Sequence, residues 1–174
     1  MTADVDPAAR IIALAAGAGL HLATAESLTA GAVVARLVDV PGASSCVVGG
    51  AACYSYDAKH RVLGVDEAEL ARTGAVTASI ARQMALGALE LYAADLAVST
   101  TGVAGPGADE RGVPAGSVRL ALAGRTPEGP VVLEECELHE RGSRREVRRV
   151  SVEAALSLLQ RHLDTTVVSL GTRD

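Results

Sequence analysis

The chain has 174 residues, 49% of them hydrophobic and 21% charged, with a formal net charge of −5. That balance fits one folded domain with a sizeable core and excludes a disordered chain. The acidic charge, and an aromatic complement of three Tyr with no Trp or Phe, argue against nucleic-acid binding, which draws on basic surface and stacking rings.

Asp6 as N-cap and Pro7 at the first helical position predict an opening helix. Ile11, Ile12, Leu14 and Ala15 form its apolar stripe, and Gly17 and Gly19 end it. Leu20 to Ala25 reads as the first strand and Ala32 to Val38 as the second helix, which puts Ser27 and Thr29 at the turn between them. Either hydroxyl there reads as an N-cap, or as a group beside unpaired N–H donors at the positive end of a helix dipole. Asp39-Val40-Pro41-Gly42 breaks that helix. Cys46 to Tyr54 reads as the second strand, weakened or bulged by Gly49-Gly50, and hands over to a short helix carrying Lys59.

Asp66-x-x-Glu69 is a capping box for another short helix ending at Gly74, and Thr77 caps a longer one from Ala78 to Tyr92. Leu96 to Thr100 is the third strand and runs into Thr101–Gly107. The segment from Gly102 to Pro114 is the longest irregular stretch, a length usually tied to function. Ser117 to Ala123 and Val131 to Leu138 form two more strands through a hairpin-like connection. Ser143-x-x-Glu146 opens the last long helix, expected to run to about Leu163. Thr165 to Leu170 has strand-like composition and is expected to pair with an edge or a partner chain. The order predicts a three-layer α/β/α domain with a mixed, mostly parallel sheet. One domain is expected over 1–174, with a core at about 8–163 and a tail at 164–174.

Cys46, Cys53 and Cys136 are odd in number and lack C-x-x-C spacing, so they read as mostly buried cytosolic thiols. The first residues are acidic and lack an apolar signal core, and no stretch approaches the roughly 18 to 20 apolar residues of a membrane span. A cytoplasmic protein without membrane contact is the expectation. His21, His60, His139 and His162 show no metal spacing; no metal and no cofactor are predicted. Phosphate-binding P-loop, dinucleotide and G-x-S-x-G signatures are absent.

Two features carry chemistry. Lys59 is the single lysine among 16 basic residues, and a lysine, unlike an arginine, can serve as a neutral amine. Three predicted strand ends carry hydroxyls or glycines: Glu26 to Gly31, Tyr54 to Lys59, and Thr101 to Gly107. Ligands of open α/β sheets bind outside such ends. A Ser–Lys acyl-transfer site follows: Ser27 attacks a carbonyl, Lys59 takes its proton, Tyr54 relays or orients, and backbone N–H groups hold the oxyanion. Arg144, Arg145, Arg148 and Arg149 crowd the first turns of the last helix, where its dipole disfavours cations. That is a solvated face or a place for a ligand phosphate.

These residues resemble a known family. Ala25-Glu26-Ser27-Leu28-Thr29-Ala30-Gly31, Tyr54-Ser55-x-x-x-Lys59 and Thr101-Gly102-Val103-Ala104-Gly105-Pro106 are similar to three signature segments of the CinA C-terminal domain. Gly74-Ala75-Val76, Pro114-x-Gly116-Ser117-Val118 and Gly142-x-Arg144-x-x-Val147-Arg148 resemble further segments, in the same order. The amino-terminal domain of longer CinA proteins is not seen, so the chain resembles the stand-alone form, whose implied activity is nicotinamide mononucleotide deamidation. The resemblance implies a metal-free Ser27–Lys59 pair assisted by Tyr54 and Thr101. It also implies a substrate-binding set of Glu26, Thr29, Ala30, Gly31, Ser55, Gly102, Ala104, Gly105, Arg144 and Arg148. A small phosphorylated nucleotide as substrate and assembly as a homo-oligomer are further implications. The chain departs from the family pattern at Leu28 (often Cys), Ala30 (usually Gly), Tyr56 (commonly small and polar), Val113 (commonly Lys) and Ser143 (commonly Asp).

Overall fold

The computed structural model describes residues 6–171, and their side chains as far as residue 166. Helix α1 (Pro7–Ala18) begins as the sequence dictates, with the Asp6 side chain accepting from the Ala8 N–H. Gly19 closes it in the left-handed conformation, while Gly17 lies inside the helix. Strand β1 (Leu22–Glu26) is followed by α2 (Ala32–Val38), one turn of 3₁₀ helix at Ala43–Ser45 and β2 (Val47–Ala52). Three helices come next: α3 (Tyr56–Leu63), α4 (Glu67–Thr73) and α5 (Ala78–Leu91). The chain ends with β3 (Leu96–Gly102), β4 (Ser117–Thr126), β5 (Gly129–His139) and α6 (Arg144–Gly171).

The sheet order is β2-β1-β3-β4-β5. β1 pairs parallel with β2 and β3, whereas β3–β4 and β4–β5 are antiparallel, so β4 alone opposes the other strands. The bulge expected near Gly49-Gly50 falls at Val48, where the β1–β2 register shifts between Leu22 and Ala23. Glycine is required beside it. A Cβ at Gly49 would lie 2.3 Å from the Tyr92 ring and one at Gly50 2.4 Å from Thr24 Oγ1.

Alternation along the strands sorts side chains by size onto the two faces. Leu22, Leu96, Val98, Val118, Leu120 and Leu122 join α1, α2 and α6 in one core, which includes Ile11, Leu37, Leu158 and Leu159. Ala23, Ala25 and Ala97 face α3, α4 and α5, with Ile80, Met84 and Leu89. Small side chains let the helices approach on that second face; a Cβ at Gly87 of α5 would meet the Leu63 carbonyl at 2.0 Å. The two helical layers and the sheet make the α/β/α architecture.

One predicted element is replaced. Thr165 to Leu170 is not a strand: it continues α6, which runs to Gly171 instead of stopping near Leu163. No Gly or Pro interrupts the chain between Arg144 and Leu170, and each added helical residue gains a hydrogen bond without a new nucleation cost. The Thr165 hydroxyl donates back to the carbonyls of Arg161 and His162, so it finds its partners inside the helix.

Candidate functional site

Because β1, β2 and β3 are parallel, their carboxyl ends meet at one edge of the sheet. Two backbone bonds extend the ladder past the strand tips, Ser27 N–H to the Thr100 carbonyl at 2.9 Å and Cys53 N–H to the Glu26 carbonyl at 2.8 Å. Ser27 is thereby held at a fixed place relative to both neighbours. Ser55 caps α3 through its side chain, accepting from the Ala58 N–H, and the first turn of that helix carries Lys59 back under the strand ends.

Lys59 Nζ donates to Ser27 Oγ at 2.9 Å, to the Cys53 carbonyl at 2.9 Å and to the Tyr54 carbonyl at 3.3 Å. Its side chain is 1% exposed. Burial lowers its pKa from 10.5 to about 8, against a weaker opposing influence of the neighbouring Cys53. Burial pushes the Cys53 thiol up, which disfavours a thiolate at this position. A neutral amine has two N–H donors and one lone pair. Those match two carbonyl acceptors and one hydroxyl, so deprotonated Lys59 can keep both carbonyls and accept from the Ser27 O–H.

This pair lies on a cavity of ≈ 490 Å³ whose wall also includes Tyr54, Tyr56, Thr101 and the 102–111 stretch, with Arg144 at its side. Thr101 lines it while its hydroxyl donates to the Ala75 carbonyl at 2.8 Å, tying β3 to the connection between α4 and α5. Arg144 reaches across from α6, donating to the Gly105 carbonyl at 2.8 Å and to the Tyr54 hydroxyl at 2.7 Å. Gly102, Ala104 and Gly105 are lining residues as well.

Other residues of the expected set do something else. The helix N-terminus after Ser27 is already occupied. The Glu26 carboxylate accepts from the N–H groups of Gly31 at 2.8 Å, Val33 at 3.0 Å and Val34 at 2.9 Å, and from the Thr24 hydroxyl at 3.0 Å. Glu26 is 1% exposed and caps α2 from five positions before its N-cap, so neither Ser27 nor Thr29 is the N-cap; that backbone position is Gly31. The unpaired N–H donors expected there are taken up by the protein's own carboxylate. The Thr29 hydroxyl is buried against that of Thr100 at 2.7 Å. Ala30 is exposed with φ 52°, a left-handed backbone that favours glycine, so its methyl strains the turn rather than narrowing the cavity.

Arg148 likewise leaves the cavity: it donates to the carbonyls of Leu28 at 2.9 Å and Thr29 at 3.0 Å, clamping the turn that follows the serine. Arg149 pairs with Glu153 on the surface. Arg111 was not foreseen as a cavity residue, yet it lines the wall together with Asp109 and Glu110. Its position in an irregular loop gives no periodic signal; the only clue is that it is the sole cation between Gly102 and Gly116. Among the described residues, no group of His, Cys, Asp and Glu side chains is arranged to hold a metal ion. No helix there is long and apolar enough to cross a membrane.

The molecule is a three-layer α/β domain with a buried Ser27–Lys59 contact at the carboxyl ends of its parallel strands. Comparison with known sequences gives the family. Residues 5–163 match the model of the CinA C-terminal domain, and the chain belongs to that family. A CinA-like protein of Chlorobaculum tepidum is 44% identical over 137 residues, 79% of this chain and 32% of that protein. A CinA-like protein of Mycobacterium avium is 42% identical over 146 residues, covering 84% and 34% of the two. The chain thus spans about a third of the length of these curated relatives. The crystal structure of the competence/damage inducible protein CihA from Agrobacterium tumefaciens superposes with a TM-score of 0.82 at 38% identity, covering 91% of this chain and 93% of that one. A CinA superfamily protein from Klebsiella pneumoniae gives 0.83 at 30% identity, covering 91% and 96%.

Proposed function

We propose that the chain is an amidohydrolase that cleaves the carboxamide of nicotinamide mononucleotide to nicotinic acid mononucleotide and ammonia. The observation that carries this reading is the 2.9 Å contact between Lys59 Nζ and Ser27 Oγ at a buried position that lowers the lysine pKa to about 8. Family membership supports it, as does the nearby cationic Arg144 on a cavity large enough for a small molecule.

With a pKa near 8, roughly a tenth of the molecules carry the neutral amine at pH 7. In those, Lys59 accepts the Ser27 proton as Oγ bonds to the amide carbon. The carbonyl π pair moves onto oxygen, where the Leu28 N–H, which has no acceptor among the described residues, is placed next to the nucleophile to stabilise it. Collapse restores the carbonyl and breaks the C–N bond, and the Lys59 ammonium gives its proton to the departing nitrogen. Water, deprotonated by the same amine, then attacks the Ser27 ester; the C–Oγ bond breaks, Lys59 returns that proton to Oγ, and the acid is released. Tyr54 and Arg144, bonded to each other at 2.7 Å, form the polar side of the entrance. The 102–105 stretch shapes the remainder. We further propose that the protein acts in the cytoplasm as a homo-oligomer.

The test is ammonia release by the purified protein from nicotinamide mononucleotide, compared with a panel of other amides. Preferential release from the nucleotide supports the reading. Release from another amide transfers the Ser–Lys chemistry to a different substrate. No release from any, with the nucleotide still raising Tm, replaces the enzyme by a binding domain.

A further inference from the structure

Two cations on the cavity wall, Arg111 and Arg144, make no ion pair with a carboxylate among the described residues, whereas most surface arginines of the chain do. Arg111 is held in place without being neutralised. Its Nη1 donates to the Arg72 carbonyl at 3.3 Å and its Nη2 to the Ala71 carbonyl, both in the last turn of α4. A cation suits a helix carboxyl end. A guanidinium carries five N–H donors, so this anchorage leaves three of them uncommitted.

The backbone beneath the side chain is equally fixed. Asp109 Oδ1 accepts from the N–H of Arg111 at 2.9 Å and of Val113 at 2.8 Å, and the Asp109 N–H donates to the Val113 carbonyl at 3.0 Å. The Arg111 stem then crosses Gly74. A Cβ there would sit 2.7 Å from Arg111 Cδ and 3.5 Å from the Tyr56 hydroxyl oxygen, so the bare glycine is what lets Arg111 and Tyr56 share that wall. Nothing in loop packing requires a guanidinium with spare donors at this place. Asp109 Oδ1 is turned to the loop's own N–H groups, and no ion pair joins Asp109 to Arg111 among the described residues.

We infer that Arg111 is a specificity residue that binds the phosphate of the substrate, together with Arg144, at the mouth of the cavity. The inference rests on the amidase reading for the identity of the substrate, and on geometry alone for the anion site. It also gives meaning to a departure from the family pattern: Val113 stands where lysine is common, and the loop's one cation is supplied two positions earlier. Glu110 lines the same cavity, so discrimination comes from directed guanidinium donors and not from the net charge of the loop.

The experiment compares wild type with Arg111→Gln, which keeps a donor for the α4 carbonyls and removes the charge. Steady-state constants are measured on nicotinamide mononucleotide and on its unphosphorylated riboside. The expected result is a fall of about tenfold in kcat/KM for the nucleotide, carried by KM, with the riboside value unchanged. Equal loss on both substrates would make Arg111 a loop prop, and no loss on either would remove it from the site; each overturns the inference. If wild type leaves either compound uncut, the comparison passes to calorimetric titration with both compounds. Roughly tenfold weaker nucleotide binding by Arg111→Gln, with riboside binding unaltered, still supports the anion site even when the amidase reading has failed. Equal nucleotide affinity in the two proteins, or no nucleotide binding by wild type, overturns it.

Discussion

Two ionisable side chains are buried to the same degree at the tip of β1, Glu26 and Lys59, each 1% exposed. Their surroundings differ in kind. Four donors point at the Glu26 carboxylate, three of them backbone N–H groups of the turn and helix that follow, so its charge is matched by fixed dipoles. Lys59 meets two carbonyls and one hydroxyl, and burial outweighs them, bringing its pKa down to about 8. A fully matched charge is structural. A charge the site only partly supports, next to a hydroxyl, is what the proposed proton transfer from Ser27 to Lys59 requires. The comparison divides the strand tip into a part that builds the serine turn and a part that uses it.

The largest expected effect breaks the comparison on the Lys59 side. Lys59→Arg keeps a positive charge but provides no accessible neutral form, and kcat for ammonia release should fall about a thousandfold or more. Turnover close to wild type would return Lys59 to a structural role. A smaller effect is expected on the Glu26 side. Glu26→Ala leaves the N–H groups of Gly31, Val33 and Val34 without their acceptor, at a cost of about 3 kcal/mol, which lowers Tm by roughly 10 °C. Thermal unfolding measures this. An unchanged Tm accompanied by a raised KM would instead place Glu26 in contact with substrate.

Much of this molecule is legible from residue types, and the remainder fails for identifiable reasons. Asp6-Pro7, Thr77 and the Ser143/Glu146 box announce helix starts because a cap needs a specific side chain at a fixed offset, and each makes its bond here. Asp66 caps as expected, but the other half of its box is supplied by Gln83, which accepts from the Asp66 N–H at 2.8 Å. Ser27 and Lys59, 32 positions apart in sequence, are brought together by the parallel pairing of β1 with β2. Lys59 stood out because arginine fills every other basic position.

What stayed hidden depends on backbone partners. Glu26 and Arg148 look like ligand groups in sequence, and both spend their hydrogen-bonding capacity on the main chain around the serine turn. No pattern of side chains discloses that. Thr165 to Leu170 misled through β-branched composition, a weak preference that continuation of an existing helix overrides.

The most direct test of the central claim is the pH dependence of kcat/KM for ammonia release from nicotinamide mononucleotide. Below about 8 Lys59 is mostly protonated and cannot accept the serine proton; above it the amine is free. The account therefore predicts activity that climbs about tenfold per pH unit on the acid side and levels off above a pH near 8. A profile that stays flat across that range, with the protein folded throughout, would contradict it.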